Sequence, residues 1–536
     1  MNHPHDTSVL IAGGGPVGLT LAVGLGRLGV RCMVIEANEA HSILPKMELC
    51  NARTMEIYAR LGLEASIRDA GYPVDAPMDV LVTTSLNDAP IHRLVYPSTN
   101  AMQARIAASR DGSEPRQAYQ RISQYTLEPL LRAAAESLSP VTVRFGARLD
   151  TFTQSASGVD AEVVDGDGSR RHVHADYLVG CDGGASTVRE QLGIRLDGRA
   201  AVSRMFHVFF RCDDLLDRHS LGPARHYNIV GEVAAGLIAQ DDLRRYAIHA
   251  NVPADTDPRW LVEQVVGAPV PAEILYVGTW TPHLLVADHY GEGRVFLAGD
   301  AAHQYIPTGG FGLNTGIGDA ADLSWKLAAA IAGWGGTKLL ESYDAERRPI
   351  GVRNRTGATV AARGHTKWRA AYDAGVRGDE LVQLIDREQR KSHELRGIEL
   401  GYRYLHSPVI AGASGDCEPD LAVYEPTAEP GARLPHVWLD GGTALHDQLG
   451  AGFSLIRLGD VDVDPLARAL RTRGVPVDVL DITDPIAHGV YDASALLVRP
   501  DLHVAWRAHR APRDPDLIAA IVTGNHNHAE RGTQWN

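Results

Sequence analysis

The 536-residue chain predicts an α/β fold: a parallel sheet wound with helices, interrupted by a mainly antiparallel sheet and followed by a smaller C-terminal unit. Three observations predict it. The chain opens as a short apolar run, a glycine turn, an apolar helix pattern and a second apolar run, which is the start of a parallel α/β sheet. Two later apolar runs, ending near residues 180 and 298, also run straight into glycine loops. Between them, from about 200 to 290, short β-like runs alternate with turns rich in Asp, Pro and Gly.

The elements follow in order. Residues 9–12 (VLIA) read as a buried strand, and the helix pattern covers Leu19 to Leu28. Residues 31–35 read as the second strand, ending at Glu36. A helix fits 126–138, and strands fit 141–150, 158–165 and 171–180, with a turn over Asp165 to Gly168. The runs RMFHVFFRC, RHYNIVGEV, GLIAQ, RRYAIHANV and EILYVGTWT make the antiparallel sheet. Residues 294–303 (RVFLAGDAAH) are a strand entering a glycine loop, a helix fits 315–332, and 336–400 is largely helical. Beyond 402, strands fit 453–458 and 476–481, and 495–507 reads as a hairpin turning at Pro500 and Asp501.

Composition narrows the function. A hydrophobic share of 44% with 22% charged residues is that of a globular protein. The net charge of −14 opposes nucleic-acid binding, which needs a basic face. No apolar run is long enough for a membrane span or a signal peptide, so no membrane partner is expected. Cys32, Cys50, Cys181, Cys212 and Cys417 are scattered and form no C-x-x-C. They read as reduced thiols of a cytoplasmic protein, with no disulfide framework and no metal site.

Three motifs carry chemistry. Gly13-x-Gly15-x-x-Gly18 allows a tight turn, close approach to a pyrophosphate, and helix–strand packing, and the N-terminus of the helix that follows faces the phosphates; Pro16, inside the motif, is counted with it as cofactor-binding. Glu36, followed by Ala37, ends the second strand, where a carboxylate accepts ribose hydroxyls. The alternatives are a plain tight turn and a solvated strand end. The second motif is Val179-Gly180-Cys181-Asp182-Gly183-Gly184. The third is Gly299-Asp300-Ala301-Ala302-His303, with Pro307, Gly312, Leu313 and Asn314 after it. Each follows a strand and so sits where α/β ligand crevices form. Either alone could be an Asp-capped turn; their joint occurrence with the first disfavours that.

Together these motifs resemble the single-component flavoprotein aromatic hydroxylases of the p-hydroxybenzoate and phenol hydroxylase type, over about residues 8–355. The resemblance implies a Rossmann-like FAD-binding domain in two parts (1–195, with substrate-side loops at about 72–120, and 291–400). It also implies a β-sheet substrate domain (196–290) and a thioredoxin-like C-terminal domain (401–536). No cysteine follows Cys417, so dithiol chemistry in that tail is excluded. A structural or subunit-contact role is expected for it. By the resemblance, Asp300 serves the flavin ribityl chain, Asp182 lies near FAD and the pyridine nucleotide, and Arg53 and Gln124 match flavin-contacting positions. It implies reduction of FAD by NADPH or NADH, addition of O2 at the flavin C4a, and attack on the resulting hydroperoxide by a small phenolic or related aromatic substrate. An epoxidase or ring-opening oxygenase on a polyketide-like substrate, and a flavin-binding protein without turnover, remain alternatives, and homodimerisation stays open. No second G-x-G-x-x-G occurs, so no separate nicotinamide domain is expected. Glu48, five residues before Arg53, is the candidate base, with a solvated loop carboxylate as the alternative. Arg245 and Tyr246 are substrate-side candidates, joined by His249, His226 and Tyr227, against a plain packing role. His303 reads as structural near the flavin loop.

Overall fold

A computed structural model describes residues 6–412 and 418–526. Cys417 lies outside them; Cys32, Cys50, Cys181 and Cys212 are free thiols.

The first sheet is built from continuous apolar runs because both its faces are covered, by helices and by the antiparallel strands that follow. Val9, Leu10 and Ile11 are fully buried. The strands lie in the order Gly291–Glu292, Val295–Leu297, Arg170–Gly180, Thr7–Ala12, Cys32–Glu36, Val141–Phe145. All but the first of these run parallel to their neighbours. The strands Ala147–Gln154 and Val159–Asp165 add antiparallel onto Arg170–Gly180. Register matters for function. Ala12 pairs with both Ile35 and Gly180, and Gly180 pairs with Leu297. Three strands therefore end level, and each is followed at once by one of the three glycine motifs.

Helix Pro16–Arg27 packs on helix Phe311–Ile331 closely enough that a Cβ on Gly24 would lie 2.9 Å from Ser324 Cβ. The second helix starts four residues before the expected 315. Gly310 takes a left-handed φ of +70° as its N-cap, so the helix begins directly at the glycine turn. Gly316 then packs against Val17, where a Cβ would meet Val17 Cγ2 at 2.6 Å. The helical stretch beyond is Thr337–Asp373 followed by Gly378–Gln389.

The second sheet has seven strands, ordered Glu273–Trp280, Met205–Arg211, Arg245–Ala250, Ala234–Ala239, His226–Val230, Val80–Thr83, His92–Leu94. Only His226–Val230 with Val80–Thr83 is parallel. The 72–120 stretch, expected as loops, supplies the last two strands at one end of this sheet and the helix Thr99–Ala108. Those strands are only four and three residues long, too short for an alternating pattern to stand out.

The C-terminal unit has strands ordered Val477–Asp481, Phe453–Arg457, Ala495–Val498, Val504–Ala508, with only the first pair parallel. Helices Asp464–Thr472, Pro485–Tyr491 and Pro515–Val522 complete it. It is fastened to the first domain by buried charge. Arg499 donates to Glu346 (2.7 Å), Asp322 (2.8 Å) and Asp501 (2.6 Å). Lys326 donates to Asp322 and Glu346, both at 2.7 Å. Buried pairs of this kind add little net stability but penalise any arrangement that separates them. They hold the helix carrying the third motif in one position.

Candidate functional site

The three glycine loops open into one large cavity of about 1420 Å³, which continues to the inner face of the seven-stranded sheet. That exceeds the roughly 300–1000 Å³ of a pocket for one small ligand, so it has room for two molecules.

At the loop end, the glycines have distinct reasons. Gly13 has φ +111°, and its Cβ would lie 2.2 Å from Cys181 O. A Cβ on Gly18 would lie 2.1 Å from Gly13 O. These two shape the turn. Gly15 instead has nothing within 4 Å on its open side, which faces the cavity. Gly15 caps the helix without any side-chain cap, so first-turn N–H groups remain for a ligand. Glu36 accepts from Gly14 N (2.8 Å) and Asn38 N (2.9 Å), which aims its carboxylate along the cavity wall. Asp182 accepts from Val188 N at 3.1 Å with one oxygen, while its buried Oδ1 has no partner. Burial pushes the Asp182 carboxyl up from its ordinary value. Asp300 opens into the cavity. Gly310 and Gly312 leave a second cradle with nothing within 4 Å, again at an uncapped helix N-terminus. Two anion-seeking helix ends, open glycines, an orphaned carboxylate oxygen and a strand-end Glu fit a flavin dinucleotide.

Of the sequence candidates, Gly13, Gly15, Pro16, Glu36, Ala37, Glu48, Gln124, Asp182, Asp300, Pro307, Gly312 and Leu313 line this cavity. Gly18 lies behind the turn. Asn314 does not line it. Its side chain accepts from Asn51 N (2.9 Å) and Thr54 Oγ1 (2.6 Å) and donates to Leu49 O (3.0 Å), tying the segment after Glu48 to the glycine helix. Arg53, expected beside the flavin, turns to the C-terminal unit, where it donates to Asp501 O at 2.6 Å and faces Glu56 at 3.4 Å. Its helix presents that face to a neighbouring domain that sequence cannot place.

Arg245 and Tyr246 are corrected as substrate-side groups. Tyr246 is fully buried in the opposite core and donates to Leu243 O at 2.5 Å. Arg245 sits at the strand's start, paired with Asp242 at 2.7 Å. Alternation along Arg245–Ala250 puts Ala247 and His249 on the cavity side instead. Tyr227 likewise faces the opposite core, whereas His226 lines the cavity. His303 is wholly buried, bonded through Nε2 to Asp319 at 2.9 Å.

Glu48 is gripped by three cations or donors. His226 Nε2 is 2.6 Å away, Arg225 reaches it at 3.1 and 3.2 Å, and Arg121 at 3.2 Å. Burial opposes its charge, but His226, Arg225 and Arg121 outweigh this and hold the carboxyl well below the usual range. Burial lowers the His226 pKa, with Glu48 opposing. At neutral pH Glu48 is therefore a carboxylate that accepts from His226 Nε2–H. Arg121 and Arg225 carry no local signal of this role, because their partner lies 73 and 177 residues away. His207 stacks on His249 with centroids 4.5 Å apart, and both line the cavity. Among the described residues no helix is long and apolar enough to cross a membrane.

Comparison with known proteins agrees with this geometry. A family model described as FAD binding domain matches residues 6–357, and one described as aromatic-ring hydroxylase, C-terminal, matches 427–523. The chain is 34% identical to the FAD-dependent monooxygenase apdD of Emericella nidulans, covering 96% of this chain and 90% of that protein. It is 34% identical to the tetracenomycin B2 monooxygenase-dioxygenase of Streptomyces olivaceus, covering 96% and 97%. A crystal structure of RebC with bound 7-carboxy-K252c superposes with a TM-score of 0.88 at 33% identity, covering 98% of this chain and 100% of that one. The chain belongs to the aromatic-hydroxylase type of FAD-binding flavoproteins and is an FAD-dependent oxidoreductase.

Proposed function

We propose that the protein is a monooxygenase that hydroxylates a phenolic, polyketide-like aromatic substrate with O2 and NADPH or NADH. The observation that carries this reading is the single cavity joining the dinucleotide cradle to a sheet-walled chamber, with Glu48 and His226 on its wall. Bound FAD would supply the acceptance of two electrons from the nicotinamide and the activation of O2. The residues proposed to hold it are Gly13, Gly15 and Pro16 with their helix end at the pyrophosphate, Glu36 at the ribose and Asp300 at the ribityl chain. The uncapped N–H groups of Gly312 and Leu313 would stabilise negative charge on the ring. Asp182 and Gln124 line the same walls.

The proton step belongs to this chain. A carboxylate held so far below neutrality is a poor base. Glu48 instead orients His226, accepting its Nε2–H and leaving Nδ1 as the acceptor. We assign His226 Nδ1 the phenol proton, which raises the electron density of the ring to be oxygenated. The sheet, and the helix Thr337–Asp373 that lines the chamber with it, wall the place where the substrate ring would lie.

We divide the chain into FAD-binding parts 1–195 and 291–400, a substrate domain 196–290 whose sheet is completed by the 72–120 stretch of the first part, and a thioredoxin-like unit 401–536. The last rests on its β-α-β-α-β-β-α order and on a first strand flanked by the second and third. The test is the FAD-loaded enzyme with NADPH or NADH, phenols, hydroxypyridines and polycyclic phenols, under 18O2. Substrate-stimulated nicotinamide oxidation with one labelled oxygen in a ring hydroxyl is expected. Stimulated oxidation yielding only peroxide across the whole panel would remove the reading. An epoxide or a ring-opened product would replace it with the alternative oxygenation.

A further inference from the structure

The inner face of the seven-stranded sheet carries a row of cross-strand neighbours whose character changes from residue to residue. Gly278 pairs with His207, His207 with His249, His249 with Gly236, and Gly236 with Asn228. All five line the cavity. From His207 to Asn228 the row crosses three interstrand spacings, about 14 Å.

Two observations on this row are unexplained by the fold. His207 and Asn228 are only 6% and 7% exposed, yet His207 Nε2 and Asn228 Nδ2 have no hydrogen-bond partner. Buried polar groups are nearly always paired, and an unpaired one costs about 1–3 kcal/mol. Between them, Gly236 leaves a bare floor: a Cβ there would meet no atom within 4 Å. Its φ is not in the left-handed region, so the backbone does not require glycine. A strand glycine without a conformational reason marks close approach of something else. Gly278 differs, because a Cβ there would strike the Tyr276 hydroxyl at 2.2 Å. Ala247 and Ile238, paired in the adjoining row, extend the apolar floor beside Gly236. His249 is already engaged, accepting from Trp280 Nε1 at 3.2 Å through Nδ1.

Along the strand, Asn228 lies two residues from His226, about 7 Å. A ring whose hydroxyl meets His226 therefore ends before Asn228 unless further rings are fused to it. We propose that Gly236, His207 and Asn228 form a specificity subsite for the distal, oxygen-bearing ring of a flat fused-ring aromatic substrate. The ring lies on Gly236, and its carbonyl or hydroxyl oxygens take the free nitrogens of Asn228 and His207. The substrate's shape here rests on the monooxygenase reading above, whereas the subsite itself is read by binding alone.

The experiment titrates FAD-loaded full-length enzyme with 1,8-dihydroxyanthraquinone and with phenol, reading perturbation of the flavin absorbance. Wild type should bind the anthraquinone more tightly than phenol. Gly236→Val should weaken anthraquinone binding about tenfold or more by filling the floor. Asn228→Leu and His207→Phe should each weaken it about tenfold by removing a buried partner. Phenol affinity and FAD content should stay within about twofold, since all three residues lie outside the proposed cofactor cradle. Equal weakening for both ligands, no change in any variant, or wild type that fails to prefer the anthraquinone overturns the subsite. If Gly236→Val loses FAD, Asn228→Leu and His207→Phe decide. Absence of 18O incorporation in wild type with this binding pattern intact would remove the oxygenation reading and support the subsite.

Discussion

Gly15→Val separates a glycine kept for a ligand from one kept for the turn. Gly15 is in extended backbone, with φ −74° and ψ −178°, which any residue adopts, and its Cβ would meet no protein atom within 4 Å. The apo protein should therefore keep its stability to within about 0.5 kcal/mol. The added side chain would occupy the space in front of the uncapped N-terminus of helix Pro16–Arg27. A pyrophosphate kept away from that end loses one or two charge-assisted hydrogen bonds, about 2–4 kcal/mol, or roughly 30- to 700-fold in FAD affinity. Gly18→Ala is the contrast. Its Cβ would sit 2.1 Å from Gly13 O, a backbone atom that cannot step aside, so the apo fold itself should lose about 1–3 kcal/mol. The assay is FAD titration of apo protein by quenching of tryptophan fluorescence, with urea denaturation of the same samples. FAD affinity within threefold of wild type in Gly15→Val, at full occupancy, would refute the reasoning.

Three further outcomes are expected. Glu48→Gln should slow hydroxylation and release more peroxide while leaving flavin reduction by NAD(P)H intact, because it misorients His226; unchanged rate and coupling would clear both residues of the proton step. Burial lowers His207 to about 4 and His249 and His365 to about 3, each from an ordinary 6.5. Below pH 6.5 the unfolded chain takes up protons that these folded imidazoles refuse, so their stabilising contribution is full above 6.5 and is lost as pH falls towards 3–4. Thermal melts should show that slope, and His207→Phe should reduce it; an identical slope in the variant would contradict the assignment. Arg433 donates to Glu56 at 2.7 Å with both side chains fully buried, and Arg433→Met would strand that carboxylate. A loss of about 3–5 kcal/mol on chemical denaturation is expected, and one under 1 kcal/mol would show that Arg53 suffices as its partner.

The loops of the proposed cofactor cradle are legible because their demands are local. A turn at φ +111° or an uncapped helix start must be met by the residues at that position, so the glycines of 13–18 and 310–312 stand in the sequence as a pattern. The β character of 200–290 was legible for the same reason, from alternation and turn residues. The side on which each strand residue faces was not. Alternation sends Tyr246 into one core and His249, three residues on, into the cavity, and only pairing with Met205–Arg211 and Ala234–Ala239 settles which.

The order of elements and the three glycine loops, with the chemistry they suit, are written in the chain. Tertiary structure alone decided that those loops end level, through the register of Ala12, Gly180 and Leu297. It also decided that Glu48 meets Arg121, Arg225 and His226, and that Arg53 serves the C-terminal unit. The reason is physical: backbone conformation is dictated by neighbours in the chain, whereas the protonation of a carboxylate and the floor of a pocket are set by groups that only folding brings within a few ångströms.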